Sequence, residues 1–140
     1  MTLIDSQNQF SDNQAITADA ASTYNVDLAK GPLKEVSYGT PIPLRIQVTE
    51  SFVGATSVEI KVQTDDNESF SSPTTLATTG AIANDTLKAG YVAPIIFVPR
   101  GNERYMRLYY DVTVADGGSI SAGKITAAVV AANSGSYHNM

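Results

Sequence analysis

The sequence predicts an all-β protein: a jelly-roll-like β-sandwich of about eight strands with little or no helix. Three observations predict it. Apolar and polar residues alternate with a period of two in the readable segments. The β-branched residues Thr and Val, which suit a pleated sheet, are abundant. Clusters of Gly, Pro, Asn and Asp interrupt the chain at short intervals, as turns between strands require.

The clearest strands are predicted over residues 44–49 and 58–63. In the first, Leu44, Ile46 and Val48 alternate with polar residues, and the second repeats this pattern. Each segment therefore has one face for a core and one for water. A helix over either segment would bring charged residues such as Arg45 onto the buried face, which argues against helix.

The longest candidate strand covers residues 104–114, and two faces can be assigned along it. The apolar face holds Met106, Leu108, Tyr110, Val112 and Val114. A further strand is predicted over residues 124–131, and weaker ones over residues 15–20, 25–28, 74–78 and 91–98. Pro94 and Pro99 bracket the last of these, which predicts a position at a sheet edge.

The ends of the chain differ from its middle, which predicts three parts. These are an N-terminal arm over residues 1–13, a jelly-roll β domain over residues 14–132 and a flexible C-terminal tail over residues 133–140. The arm is polar apart from Leu3, Ile4 and Phe10, and the tail is rich in Asn, Ser and Gly around Tyr137. Either these ends fray, or they become ordered on a neighbouring subunit.

Charge and composition disfavour several classes of partner. The net charge is -5 and no basic cluster is present, so neither nucleic acid nor an anionic membrane is an expected partner. The chain has no cysteine, which excludes disulfides and thiolate metal sites. We see neither a secretory signal nor an apolar run of about 20 residues, so a soluble product of the cytoplasm is expected.

Catalytic chemistry has little support in the sequence. The single histidine, His138, is the third-last residue, so a Ser-His-Asp triad has no suitable base. Asp65, Asp66 and Glu68 form an acidic group that suits either a calcium loop or a solvated hairpin tip, and their spacing does not fit an EF-hand. We therefore expect no enzyme activity, no cofactor and no metal, with the hairpin tip favoured.

A stripe of aromatic and arginine side chains is the most distinctive predicted surface. It lies on the non-core face of residues 104–114, and Tyr and Arg are enriched at interaction hot spots. Alternatively, a second sheet covers this face and the tyrosines belong to the core. With the apolar anchors of the two ends, the candidate interface residues are Leu3, Ile4, Phe10, Arg104, Tyr105, Arg107, Tyr109 and Tyr137.

An ordered series of segments resembles the capsid cement (decoration) proteins of tailed bacteriophages. The resemblance extends from residue 4 to about residue 131, while residues 31–43 and the tail after Val130 depart from the family pattern. The segments are IDSQNQFSDNQA (4–15), AST (21–23), DL (27–28), QTDD (63–66), FSSPTTLA (70–77), LKAGY (87–91), PRGNERYMRL (99–108) and SAGKITA (121–127).

This resemblance implies a jelly-roll-like fold and a place on the outer capsid surface of the virion. There the protein would staple neighbouring major capsid subunits, as a homo-oligomer with a dimer favoured. Two other functions stay open from the residues alone. One is a carbohydrate-binding jelly-roll module that uses Tyr105 and Tyr109 as a stacking platform, and the other is a carboxylate-dependent hydrolase that uses the acidic group.

Overall fold

A computed structural model describes residues 4–27, 43–95, 97 and 103–130. Within these ranges the chain forms eight strands and no helix, which confirms the predicted all-β sandwich. The strands are β1 (Ile4–Ala15), β2 (Ala20–Ala21), β3 (Val26–Asp27), β4 (Leu44–Val53), β5 (Ser57–Asp65), β6 (Thr74–Ala83), β7 (Tyr105–Thr113) and β8 (Ala122–Val130).

The strands build two antiparallel sheets. The three-stranded sheet has the order β1-β8-β4. In the five-stranded sheet β7 lies between β5 and the two short strands β2 and β3, and β6 pairs with the other side of β5. Consecutive strands β4 and β5 belong to different sheets, so the turn between them is a corner of the sandwich.

One hydrophobic core lies between the sheets, and the period-two pattern explains it. Leu44, Ile46 and Val48 of β4 are at most 2% exposed, as predicted from their alternation. From the other sheet, the apolar faces of β5 and β7 enter the same cluster. The predicted core face of β7 is correct at Met106, Leu108 and Tyr110, which are 0% exposed, while Val114 lies beyond the strand and is exposed.

Strand β1 occupies most of the segment predicted as an N-terminal arm. It pairs with β8 of the same chain from Ile4↔Val130 to Ala15↔Lys124, so the predicted boundary at residue 13 falls inside a strand. Three register shifts interrupt this pairing and break the period-two pattern. That irregularity explains why the sequence of this strand does not read as a strand.

Phe10 anchors β1 in the core, which corrects its prediction as an interface residue. Its side chain is 0% exposed and belongs to the main hydrophobic cluster. The neighbouring Ser11 is also buried, and its hydroxyl shares a 2.7 Å hydrogen bond with the hydroxyl of Tyr110 on the opposite sheet. Burial of that phenol raises the pKa of Tyr110, so it stays protonated and paired.

The segment predicted as a strand over residues 91–98 instead follows the free edge of β4. Its described residues form two isolated bridges, Gln47↔Val92 and Pro43↔Phe97. Backbone hydrogen bonds connect it to both Ile46 and Val48 of β4. The segment therefore covers an edge that would otherwise present unpaired backbone groups, in agreement with its predicted edge position.

Candidate protein-interaction surface

The outer face of the five-stranded sheet carries the stripe predicted from the sequence. Alternation along β7 directs Met106, Leu108 and Tyr110 inward, and therefore places Tyr105, Arg107 and Tyr109 outside. The outer three are partly exposed. Among the residues that the structure describes, no second sheet covers them, and the two tyrosines are not part of the core cluster.

Arg107 lies at the centre of the stripe, between two aromatic rings. Its guanidinium carbon is 4.3 Å from the centre of the Phe70 ring and 5.5 Å from that of Tyr109. Its Nε donates a 3.0 Å hydrogen bond to Oε1 of Gln63 on β5. Partial burial lowers the pKa of Arg107, an effect that the charges of Tyr109 and Asp65 oppose.

Phe70 is part of this surface although the sequence analysis missed it. It ends the turn after β5 with a positive φ of 51°, which is uncommon for a residue with a side chain. Its ring is 6% exposed beneath the Arg107 guanidinium. The sequence signal for Phe70 is an isolated aromatic residue within a polar turn. That signal does not predict the position of the ring, because the conformation of the turn decides it.

Two further cations that the structure describes on this face are neutralised by carboxylates. Arg104 forms a bidentate pair with Asp27, with N···O distances of 3.0 and 2.9 Å, and its guanidinium lies 5.0 Å from the Tyr105 ring centre. Lys61 of β5 forms a 3.1 Å ion pair with Asp111 of β7. These hydrogen bonds raise the pKa of both Arg104 and Lys61.

The acidic turn after β5 has a structural role that its composition alone does not show. Asp65 is 1% exposed and accepts backbone N–H bonds from Ser72 at 2.8 Å and Asn67 at 3.1 Å. These bonds, that from Ser72 first, lower the pKa of Asp65. Asp66 lies in the exposed turn, where its hydrogen bond to Asp65 raises its own pKa.

The carboxylates nearest to one another differ from the predicted set. Asp65 and Asp66 approach Glu103 rather than Glu68, and one oxygen from each of these three lies within 4.8 Å of the others. Glu103 accepts a 3.0 Å hydrogen bond from the hydroxyl of Thr64. Because Asp65 accepts hydrogen bonds from backbone donors, these three carboxylates connect the turn to the residues just before β7. Asp66 and Glu68 are exposed, as the hairpin-tip interpretation expects.

We predict that Asp65 makes the stability of the fold sensitive to acid. Because its folded-state pKa lies below the ordinary value of 3.8, its stabilising effect is complete above that pH and is lost as pH falls through the folded-state pKa. Asp66 acts in the opposite sense, since its pKa is raised. The substitution Asp66→Asn removes this opposing titration and leaves that of Asp65. The free energy of unfolding of this variant should therefore fall steeply below about pH 4.

The matched comparison is the double variant Asp66→Asn with Asp65→Asn, followed by urea unfolding between about pH 5 and pH 2.5. It should be less stable at the upper pH and show a flatter decline. Equal slopes for the two proteins would mean that Asp65 is not the group responsible.

Of the remaining predicted site residues, the structure describes only Ile4. Ile4 begins β1, opposite Val130. Leu3, Tyr137 and His138 lie outside the described residues, as does the predicted tail over residues 133–140. No helix in the described ranges is long and apolar enough to cross a membrane.

Comparison with known proteins places the chain in a family. No curated protein matches it at a significant level. The model of one protein family, Bbp16, matches residues 10–129, which span both sheets from Phe10 in β1 to the penultimate residue of β8. With most of its length matched in this way, the chain belongs to the Bbp16 family.

Proposed function

We propose that this protein is a capsid cement protein of a tailed bacteriophage. It binds the outer surface of the major capsid shell and stabilises the shell by bridging neighbouring subunits. The observation that carries the proposal is the Bbp16 match over residues 10–129, because the family name suggests a phage-related protein. The resemblance of the sequence to cement proteins extends over almost the same residues.

The geometry supports a binding protein rather than an enzyme. The outer face of the five-stranded sheet presents Tyr105, Arg107 and Tyr109 from a strand whose other face is locked in the core. Such rigid aromatic and arginine side chains are typical of hot spots in protein interfaces. On a capsid lattice the same contact repeats many times, so each copy can bind moderately while a bridging arrangement gains avidity.

The proposal extends to localisation and partners. The protein is made in the cytoplasm of the bacterial host, becomes part of the outer virion surface and has the major capsid protein as its partner, without nucleic acid or membrane. It acts as a homo-oligomer, with a dimer favoured. Strand β6 supports self-association, because it is an outer strand of its sheet and contains no charged residue.

A charge on β6 tests this self-association. Thr75 is exposed in the first half of the strand, and a lysine on an edge strand disfavours edge-to-edge pairing with a second copy. We expect the variant to be a monomer by light scattering where the native protein is a dimer. Ser71→Lys, in the exposed turn before β6, is the control and should remain a dimer. A dimeric Thr75→Lys protein would exclude β6 as the contact.

The function itself is tested on particles. Mass spectrometry of purified virions should detect the protein in many copies, and cryo-electron microscopy should show it outside the shell. Particles of a deletion mutant should lose DNA at a lower temperature than native particles. Absence of the protein from purified virions would contradict the proposal.

The partly exposed tyrosines favour one other function, a carbohydrate-binding module on a phage particle. Tyr105 and Tyr109 lie on the same face, as a stacking platform requires. However, the guanidinium groups of Arg104 and Arg107 lie over these rings and compete for that position. A glycan array should show binding that Tyr109→Ala abolishes; a blank array would count against this function.

A further inference from the structure

The Arg107 guanidinium is held in place, while most of its hydrogen-bond donors have no partner among the described residues. An arginine side chain has five N–H donors. Nε bonds to Gln63, and within the part of the chain described by the structure the other guanidinium nitrogens donate to no group. The rings of Phe70 and Tyr109 restrict the orientation of the group. Arg107 is therefore a preorganised fork with its terminal nitrogens unused.

Within the described ranges, the charge of Arg107 is also not neutralised by an ion pair. Arg104 and Lys61 on the same face pair with Asp27 and Asp111, whereas no carboxylate of the described residues lies at ion-pair distance from Arg107. Partial burial makes an unpaired guanidinium less favourable than a paired one, as its lowered pKa indicates. A carboxylate brought by a partner would remove this cost and form a bidentate pair.

We propose that Arg107 binds an aspartate or glutamate side chain of the capsid protein. The partner's carboxylate accepts hydrogen bonds from the terminal nitrogens of the Arg107 guanidinium, and the rings of Tyr109 and Phe70 form the apolar surroundings of this contact. This inference rests on the proposed function, because it assigns the chemistry of the partner at that surface. Arg104 takes no such ligand, because Asp27 already fills its fork.

The pair Arg107→Gln and Arg104→Gln tests the inference with matched controls. Arg107 lies in β7 and Arg104 immediately precedes it, so each variant removes one positive charge from the same region. The two variants therefore change the long-range electrostatic attraction to the capsid equally. Binding is measured on phage particles that lack this protein, taken from a deletion mutant of the phage that encodes it. We expect Arg107→Gln to weaken binding about tenfold or more and Arg104→Gln to stay within about twofold of the native protein.

Two further readouts separate an interfacial contact from a merely structural one. Thermal unfolding of Arg107→Gln should lie close to that of Arg104→Gln, since both side chains are at least partly exposed. Arg107→Lys keeps the charge but not the planar fork, so it should recover only part of the lost affinity. The affinity of Arg107→Gln should also depend less on salt than that of the native protein.

The outcomes distinguish this inference from the function on which it rests. If the native protein does not bind the particles, both fall. If it binds and Arg107→Gln binds equally well, the capsid function stands and the carboxylate contact is excluded. A cryo-electron microscopy map that places Arg107 away from every capsid carboxylate, or against a glycan, would also overturn the proposed carboxylate contact.

Discussion

Replacing Gly54 with alanine is expected to lower the free energy of unfolding by roughly 4 kcal/mol, near the upper end for a single substitution. Gly54 forms the corner between β4 and β5 with a φ of +97°. A Cβ atom there would lie 2.1 Å from the backbone oxygen of Ser119. Because that obstacle is backbone, a rotamer change cannot relieve it, and the segment before β8 must move.

Gly90 provides a close control for this prediction. Its φ is +96°, almost that of Gly54, but a Cβ atom on Gly90 would have nothing within 4 Å. Gly90→Ala therefore carries only the conformational penalty of an L-residue at positive φ, about 1–2 kcal/mol. Guanidinium unfolding of the two variants measures the difference. Equal losses would mean that the close approach of Gly54 to Ser119 does not exist in solution.

The second large effect is expected for Phe10→Ala, at about 3–5 kcal/mol of unfolding free energy. The native side chain is 0% exposed, so the substitution leaves a cavity between the sheets. It also removes a buried apolar anchor of β1 next to the Ser11–Tyr110 hydrogen bond. Hydrogen exchange should show that β1 opens more readily than β4, since β4 retains several buried residues.

Phe97→Ala is the matched control for Phe10→Ala, because Phe97 is 44% exposed. It should cost less than about 1 kcal/mol. The comparison also decides between the two interpretations of Phe10. A Phe10→Ala protein of native stability that no longer binds capsids would support the interface role predicted from the sequence, and would contradict its place in the core.

The elements predicted correctly from the sequence share one property: their pattern is local. Over residues 44–48 of β4 and 57–62 of β5 the side chains alternate, so their buried and exposed faces follow from the pleat alone. The same holds for the stripe on β7, where two of three outer residues are tyrosines that propensity scales place in strands.

The features that the sequence did not predict depend on backbone hydrogen bonds that the alternation of side chains does not show. β1 is polar and irregular, and becomes a strand because β8, more than 100 residues later, supplies its hydrogen bonds. Asp65 looks like a member of an exposed acidic turn, but backbone donors from Ser72 and Asn67 make its burial favourable. Such compensation leaves no trace in a local pattern.

Sequence alone therefore determined that the chain is an all-β sandwich and that β7 has an aromatic and arginine face. Only the tertiary structure decided which arginine on that face is available. Arg104 and Arg107 are three residues apart, but β3 brings Asp27 to the first, while the turn after β5 brings the ring of Phe70 to the second. A side chain's charge is set by its type, whereas its neutralisation depends on which distant groups the fold brings within hydrogen-bonding distance.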